Sequence, residues 1–288
     1  MRILVATPFL AQHFDAGLYW VRALTNLGHS VYLWDYRLQV NIPEVDADAS
    51  IVFKGEIVTP ELLPKPSICY WPDALDRNPG VENRLKGYDK VFHLAKPAPD
   101  WLEWLPSGWD PAVHRSLEPP TGNYPSVYIG TCNSGYKKIM VKEIHPDVVF
   151  GNNWDNRGRE NVPDNVPQGY NVGTAVYLHE FTLAANSAKV LIDIHQAPNA
   201  GPNRKLFELI ACGFTIVDRV PGVEELLGVE LIKSVTFSTS KEARSLIDYY
   251  VDHDEERERL WALEKEAIEP YTYENCARRL VECLERVD

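Results

Sequence analysis

Residues 189–213 decide the fold, and they read KVLIDIHQAPNAGPNRKLFELIACG. The largely apolar, β-branched run 190–194 predicts a buried strand, and a loop rich in Pro, Asn and Gly follows it. A helix is predicted to begin at Asn203 and to end at Gly213, where a second apolar run begins. A strand, a loop and a helix in this order, followed by another strand, indicate a parallel α/β sheet.

The predicted helix carries Arg204 and Glu208 four residues apart, on one face. In open α/β sheets, ligands bind at the carboxyl ends of strands and against helix N-termini. Arginine suits phosphate, and a carboxylate suits ribose hydroxyls. The pair therefore predicts a nucleotide site, with an ordinary surface ion pair as the alternative.

Composition limits the class of protein. The 288 residues are 45% hydrophobic and 24% charged, which is typical of a globular chain with two domains. No apolar run approaches the roughly 18 residues of a membrane span, and no signal peptide is evident. Five scattered cysteines without a Cys-x-x-Cys pair favour a reducing cytoplasm. The formal net charge of −12 argues against broad binding to nucleic acid or anionic membranes.

Short predicted strands alternate with predicted helices along the whole chain, including a helix at 98–104 and a strand at 231–237. The stretch 111–125 is rich in Pro, Gly and Asn and is the best linker candidate. We therefore expect two α/β halves of similar size that face each other across a cleft.

A second anion site is predicted at the turn that follows the strand 126–129. It contains Gly130 and Thr131 and leads into a helix that begins near Lys137 and Lys138. Glycines, small polar residues and a helix start can form a nest of amide groups for a phosphate. The spacing is not that of a P-loop, and an ordinary polar turn is the alternative.

Two residues are candidates for a general base. His13 lies in the loop after the first predicted strand, and Asp73 lies at the carboxyl end of the strand 67–71. Both positions are expected to face the cleft, where either side chain could accept a proton. The alternatives are a solvated loop histidine and a helix-capping aspartate.

The pattern Arg-x-x-Phe-Glu-x-x-Ala-Cys-Gly at 204–213 is accompanied by short motifs along nearly the whole chain. They occur at 1–5, 27–31, 71–73, 88–92, 109–111, 128–131, 150–154, 188–191, 203–213 and 271–275. In this order and spacing, the chain resembles GT-B glycosyltransferases, and within them the CgeB-like spore-maturation branch with its group 1-like carboxyl domain.

This resemblance implies two Rossmann-like, doubly wound domains: an acceptor-binding domain at 1–118 and a nucleotide-sugar-binding domain at 119–270. The C-terminal helix, 271–288, would pack back on the first domain. The implied activity is sugar transfer from a nucleotide-diphosphate sugar, a UDP-sugar above all. The acceptor would be a hydroxyl group of a glycan, small molecule, protein or modified DNA. No metal or other cofactor is implied. The implied donor-binding residues are Gly130, Thr131, Lys137, Lys138, Lys189, Asn203, Arg204 and Glu208.

The chain departs from related enzymes at two points. Retaining enzymes of this fold carry a second glutamate eight positions before the ribose glutamate, where this chain has Ala200. The usual arginine of the phosphate turn is a lysine, a weaker bidentate donor. If the enzyme inverts, His13 or Asp73 would act as the base. If it retains, the leaving phosphate itself could accept the proton.

Three alternatives stay open. Asp46 and Asp48 form an Asp-x-Asp pair of the kind that binds a metal-diphosphate in another glycosyltransferase class, but no partner cluster accompanies them. The acceptor could be a hydroxymethylated base in phage DNA. Three lysines near tryptophans favour this alternative, namely Lys86, Lys90 and Lys96, and the net charge opposes it. The chain could also be a non-catalytic nucleotide-sugar-binding protein, which Ala200 favours and the Arg204–Glu208 pair opposes.

Overall fold

The computed structural model describes residues 1–8, 16–39, 41–72, 75, 78, 80–94, 99–152, 154, 171–173, 176–197 and 201–287. The chain divides into two compact units. The first comprises Met1–Asp110 and Tyr271–Asp288, and the second comprises Pro111–Pro270. None of the described helices has both the length and the apolar character that crossing a membrane requires.

The first unit is built on a six-stranded parallel sheet with the order β2-β1-β3-β4-β5-β6. The strands are β1 (Arg2–Ala6), β2 (Ser30–Trp34), β3 (Ala49–Phe53), β4 (Ser67–Trp71), β5 (Lys90–His93) and β6 (Glu103–Trp104). Its helices are α1 (Ala16–Asn26), α2 (Val81–Leu85) and α10 (Tyr273–Leu284). Every residue of β3 and β4 is buried, which is why these strands read as continuous apolar runs rather than alternating ones.

The C-terminal segment is bound into this unit by backbone hydrogen bonds. The Trp109 amide donates to the Tyr271 carbonyl at 3.2 Å, and the Tyr273 amide donates to the Trp109 carbonyl at 2.9 Å. The Tyr273 ring stacks on Tyr19 of α1, with 5.1 Å between ring centroids. Because of these contacts, α10 completes the core of the first unit although it lies at the far end of the chain.

The second unit has a six-stranded parallel sheet with the order β12-β11-β10-β7-β8-β9. The strands are β7 (Tyr124–Ile129), β8 (Val148–Phe150), β9 (Asn171–Gly173), β10 (Ala188–Asp193), β11 (Thr215–Asp218) and β12 (Thr236–Phe237). The helices are α3 (Gly135–Ile144), α4 (His179–Ala185), α5 (Arg204–Cys212), α6 (Val223–Leu227), α7 (Val229–Val235), α8 (Ser240–Asp252) and α9 (Asp254–Ile268). Counted within the unit, this is the 3-2-1-4-5-6 order of Rossmann folds, so the strand order reverses between β7 and β10.

The helix predicted after residue 203 is confirmed. Asn203 is its N-cap, with the side-chain oxygen accepting the Leu206 amide at 3.3 Å, and the helix ends at Cys212, before Gly213. Leu209 and Cys212 of α5 belong to a core cluster that also contains Val127 of β7 and Leu191 of β10.

Two local predictions are wrong. The strand predicted at 231–237 is instead helix α7, followed by the two-residue β12. The apolar run there also has helical spacing, since Leu231 and Val235, four residues apart, are both buried. The helix predicted at 98–104 is a turn, in which the Leu102 amide donates to the Pro99 carbonyl, followed by β6, which pairs with β5.

Candidate functional site

The reversal of strand order between β7 and β10 creates a crevice at the carboxyl edge of the second sheet. The turn after β7 leads into α3, and the loop after β10 leads into α5. Both helices therefore begin at the same edge, and their first-turn amide groups have no intrahelical acceptor. Such a crevice suits a ligand that carries negative charge.

The turn after β7 is held by hydrogen bonds to the last residue of β8 and to the loop that follows it. The Gly130 amide donates to the Phe150 carbonyl at 2.8 Å, and the indole N–H of Trp154 donates to the Gly130 carbonyl at 2.5 Å. Gly151 has φ +146°, and a Cβ there would lie 2.0 Å from the Gly130 oxygen. Glycine at 151 therefore permits the close approach that fixes the turn. Thr131, the next residue of the turn, is half-buried.

Helix α3 begins with Ser134 as its N-cap, whose hydroxyl accepts the Lys137 amide at 3.2 Å. The Lys137 side chain is buried, and burial lowers the pKa of its ammonium group to about 8, with the charge of Lys205 acting in the same direction. The Nζ atom of the adjacent Lys138 is also buried and has no hydrogen-bond partner among the described residues. The start of α3 thus carries two ammonium groups that are shielded from bulk water.

A third cation lies next to the turn. The Nζ atom of Lys205 is 2.8 Å from Oδ1 of Asp193, and it lies 4.4 Å from the centre of the Tyr128 ring. Burial acts to lower the pKa of Lys205, but the nearby acidic groups, chiefly the Asp193 carboxylate, together outweigh it, so the pKa is raised. A Cβ atom on Gly130 would lie 3.0 Å from this Nζ atom, so the Lys205 ammonium group lies next to the turn after β7.

Arg204 and Glu208 form an ion pair on α5, with Nε 3.1 Å from Oε1. The Glu208 residue is only 4% exposed, so this is not the ordinary surface pair that the spacing alone allows. His114, which is also buried, brings its Nε2 atom to 3.7 Å from the same oxygen. The site therefore contains a buried carboxylate with an arginine and a histidine beside it.

The loop between β10 and α5 is organised by His195. The Asn203 amide donates to His195 Nε2 at 3.2 Å, and His195 Nδ1 lies 2.6 Å from Oδ1 of Asp218, the last residue of β11. The hydroxyl of Tyr136 on α3 donates to Oδ2 of Asp218 at 3.2 Å. These contacts join the starts of both helices.

Of the residues predicted to bind the donor, the structure places Gly130, Thr131, Lys137 and Lys138 in the turn after β7 and the first turn of α3, and Asn203, Arg204 and Glu208 in the first half of α5, which begins at the same edge of the sheet. It does not bring Lys189 to them. Lys189 lies at the amino end of β10, where its ammonium group donates to the Val251 carbonyl at 2.9 Å. His13, Asp73 and Ala200 lie outside the described residues.

Sequence reasoning missed six residues at this crevice: His114, Tyr136, Asp193, His195, Lys205 and Asp218. Two of them had a detectable signal in the sequence. Asp193 is a polar residue at the carboxyl end of an otherwise apolar strand, and His195 follows that strand.

The Asp46 and Asp48 carboxylates both form ion pairs with the Arg2 guanidinium. Among the described residues, no cluster of three or more His, Cys, Asp or Glu side chains is arranged to hold a metal ion.

Residues 137–282 match the family described as glycosyl transferase-like. The matched segment begins within α3, includes Lys137, Lys138 and the whole of α5, and ends within α10. The chain belongs to the glycosyl transferase-like family. A comparison of the sequence with curated proteins found no match.

Three solved structures that are similar to this chain are glycosyltransferases. An alpha-glucosyltransferase in complex with UDP and a 13-mer DNA containing a HMU base has a TM-score of 0.68 and 13% identity, with 99% of this chain and 100% of that chain covered. AviGT4, a glycosyltransferase involved in avilamycin A biosynthesis, has a TM-score of 0.65 and 15% identity, with 100% and 98% covered. The T4 phage beta-glucosyltransferase has a TM-score of 0.64 and 13% identity, with 100% and 99% covered.

These likenesses and the two parallel-sheet α/β units confirm the predicted GT-B fold. Family membership likewise confirms the prediction that the protein is an enzyme, a glycosyltransferase.

Proposed function

We propose that the crevice of the second unit binds a nucleotide-diphosphate sugar and that the enzyme transfers its sugar to a hydroxyl acceptor. The observation that carries this proposal is that α3 and α5 begin at one edge of the sheet, with the buried ammonium groups of Lys137 and Lys205 at their starts and a buried carboxylate, Glu208, on α5. A diphosphate needs cations and amide donors, and a ribose needs an acceptor for its hydroxyls. The crevice offers both.

The diphosphate would lie against the first turns of α3 and α5. Helix N-termini favour negative charge, and they do so more strongly where water is excluded. Lys137, Lys138 and Arg204 would neutralise the charge that develops on the leaving phosphate when the bond to the anomeric carbon breaks. All three lie on the two helices that begin at the crevice.

Glu208 would accept hydrogen bonds from the ribose hydroxyls. Its carboxylate is already oriented by the Arg204 guanidinium at 3.1 Å, so little conformational entropy remains to be lost when the nucleoside binds. Because Glu208 is buried, a hydrogen bond to a ribose hydroxyl gains strength from the low local dielectric.

In the transfer itself, the acceptor oxygen forms a bond to the anomeric carbon as the bond to the phosphate oxygen breaks. The hydroxyl proton passes to a base. His13 or Asp73 would be that base in an inverting enzyme, and the leaving phosphate would be in a retaining one. These two residues remain sequence-based candidates.

The nucleotide of the donor, the need for a metal, the branch of the family and the cellular location belong to the same proposal. UDP-glucose and UDP occur with solved structures similar to this chain, which supports a UDP-sugar donor. Metal-independent transfer is proposed because lysine and arginine side chains can supply the charge, although T4 phage beta-glucosyltransferase has also been solved with UDP and Mn²⁺. The motif series from 1–5 to 271–275 supports the CgeB-like branch, and five free cysteines support a reducing, cytoplasmic location.

A second candidate acceptor is a hydroxymethylated base in DNA. Two of the similar solved structures contain DNA, and the Lys86 ammonium lies 5.6 Å from the centre of the Trp101 ring in the first unit. Lys90 is paired with Glu103, and Lys96 lies outside the described residues. The net charge of −12 favours a small or glycan acceptor instead. A salt-sensitive affinity for duplex DNA would favour the DNA acceptor.

The proposal is tested by the melting temperature of the purified chain with UDP, GDP, ADP, TDP and CDP in parallel. A nucleotide at a hundredfold excess over its dissociation constant stabilises the folded state by about 2.7 kcal/mol. One nucleotide that raises the melting temperature by several degrees supports the donor site and identifies the base. No shift with any of the five would overturn the proposal.

A further inference from the structure

The Asp218 carboxylate connects the two helix starts at the crevice. Asp218 is almost fully buried at the end of β11. Both its oxygens accept the His195 amide at 3.1 Å, and Oδ1 lies 2.6 Å from His195 Nδ1. Its Oδ2 atom also accepts the Tyr136 hydroxyl at 3.2 Å. A single carboxylate thus receives hydrogen bonds from the α3 side and from the loop that leads to α5.

The hydrogen bonds of His195 define its tautomer. The backbone amide of Asn203 can only donate, so Nε2 must accept and the ring proton must lie on Nδ1, towards Asp218. The nearest other carboxylate oxygen, Oδ2 of Asp193, is 3.8 Å from Nε2, and Asp193 is paired with Lys205. His195 is therefore a neutral bridge between Asp218 and the N-cap of α5.

The bridge reaches the first turns of both helices. Tyr136 is the second residue of α3, and Asn203 is the N-cap of α5. Amide groups in these first turns can hold a diphosphate only if the distance between them matches the anion.

We propose that His195 and Asp218 are positioning residues that fix the spacing of the α3 and α5 N-termini and so determine the affinity for the diphosphate part of the donor. This inference rests on the proposed function of the same crevice. This role differs from that of an ordinary buried pair. Such a pair affects the free energy of unfolding, but it does not change the preference of the site for a nucleoside diphosphate over the free nucleoside.

The test compares His195→Asn with His195→Gln, using calorimetric titration with UDP and with uridine. An asparagine amide can replace only the Nδ1 donor to Asp218, whereas a glutamine amide can reach the position of Nε2 and accept the Asn203 amide. We expect His195→Asn to weaken UDP binding about tenfold. The affinity for uridine stays unchanged, and His195→Gln recovers most of the UDP affinity. In turnover assays, the KM for the donor rises in His195→Asn while kcat at saturating donor changes little.

Tyr136→Phe tests the other arm and remains informative if a His195 variant fails to fold. It removes one hydroxyl from the bond to Asp218 and is expected to weaken UDP binding about threefold without affecting uridine. The matched control is Tyr250→Phe, which removes a hydroxyl that donates to the Ser234 carbonyl at 3.0 Å in the same unit. UDP affinity is expected to be unchanged in this control.

The possible outcomes distinguish a failure of the positioning role from a failure of the proposed function on which it rests. If the wild-type chain binds none of the five nucleoside diphosphates, the proposed function fails. If it prefers another of the five, that nucleotide and its nucleoside replace UDP and uridine. If the wild type binds the nucleoside diphosphate, and both His195→Asn and Tyr136→Phe bind it as tightly as the wild type does, the positioning role is refuted. Equal losses for diphosphate and nucleoside would refute it too.

Discussion

The ammonium group of Lys205 lies 2.8 Å from the Asp193 carboxylate, which is fully buried at the end of β10. The two residues come from a helix and from the strand that precedes it, so their pairing fixes the start of α5 over the sheet. Burial acts to raise the pKa of Asp193, but the nearby basic groups, chiefly Lys205, together outweigh it and the pKa is lowered. The pair places a buried ammonium group and a buried carboxylate next to the turn after β7, and each stabilises the charged form of the other.

The first prediction concerns this pair. Lys205→Met leaves the Asp193 carboxylate buried without its cation, and we expect the free energy of unfolding to fall by about 3 kcal/mol. Adding Asp193→Asn removes the stranded charge and should restore much of that loss. Urea denaturation measures both effects. Lys233→Met, at an exposed position on α7, serves as the control and should change little. Equal stability of Lys205→Met and the control would contradict this account of the pair.

The second prediction concerns the ribose. If Glu208 accepts the ribose hydroxyls, the wild-type enzyme should bind UDP about tenfold more tightly than the 2′-deoxy analogue, because a lost hydrogen bond to a charged group has about that effect. Glu208→Gln should abolish most of this discrimination while retaining the bulk of the side chain. Competition binding with the two nucleotides measures it. A variant that discriminates as well as the wild type would remove Glu208 from the ribose site.

The helix that carries this site was predictable because its signals are local. Asn203 as cap, the apolar spacing of 206–212 and the terminal Gly213 all lie within eleven residues. Helix α7 was not predictable in the same way, since its β-branched apolar run fits both a short strand and a buried helix. Tertiary packing of Leu231 and Val235 decides between them.

The network around Asp218 was not predictable from spacing. Tyr136, His195 and Asp218 come from three separate elements, and only the parallel order of β7, β10 and β11 brings their ends to one edge. His114 lies in a stretch that reads as a linker, yet its side chain is buried next to Glu208. Such residues have no local pattern, because the contact that gives them a role forms only in the folded sheet.

The third prediction concerns pH. The pKa of Lys137 is lowered to about 8 by burial and by Lys205, so this group is charged below that pH and increasingly neutral above it. The affinity for UDP should therefore decline as the pH rises from about 7 to about 9. Lys137→Arg keeps its charge throughout this range and should flatten the profile, since an arginine is not deprotonated there. Titrations of UDP across the range provide the measurement, and an equal decline in the variant would assign the effect to another group.

The fourth prediction concerns Glu264, a fully buried residue of α9. Its Oε2 atom accepts the Thr215 amide at 3.1 Å, and Oε1 has no hydrogen-bond partner among the described residues. Burial raises the pKa of this carboxyl well above its usual value. The folded state therefore favours the protonated form. The stability that the carboxyl contributes is complete below its unfolded pKa, near 4.5, and declines as the pH rises towards the folded value.

Glu264→Gln supplies a neutral side chain of the same shape at every pH. We expect it to be more stable than the wild type near pH 8 by about 1 kcal/mol or more, because the wild type must either keep a proton or bury a charge there. The difference should shrink as the pH falls below about 4.5, where the wild-type carboxyl becomes protonated in the unfolded state as well as in the folded state. Glu266→Gln, at an exposed position on the same helix, controls for the general effect of removing one negative charge. Thermal unfolding of the three proteins across this range measures the difference. A gap between Glu264→Gln and the wild type that stays constant with pH would show that ionisation of Glu264 is not its cause.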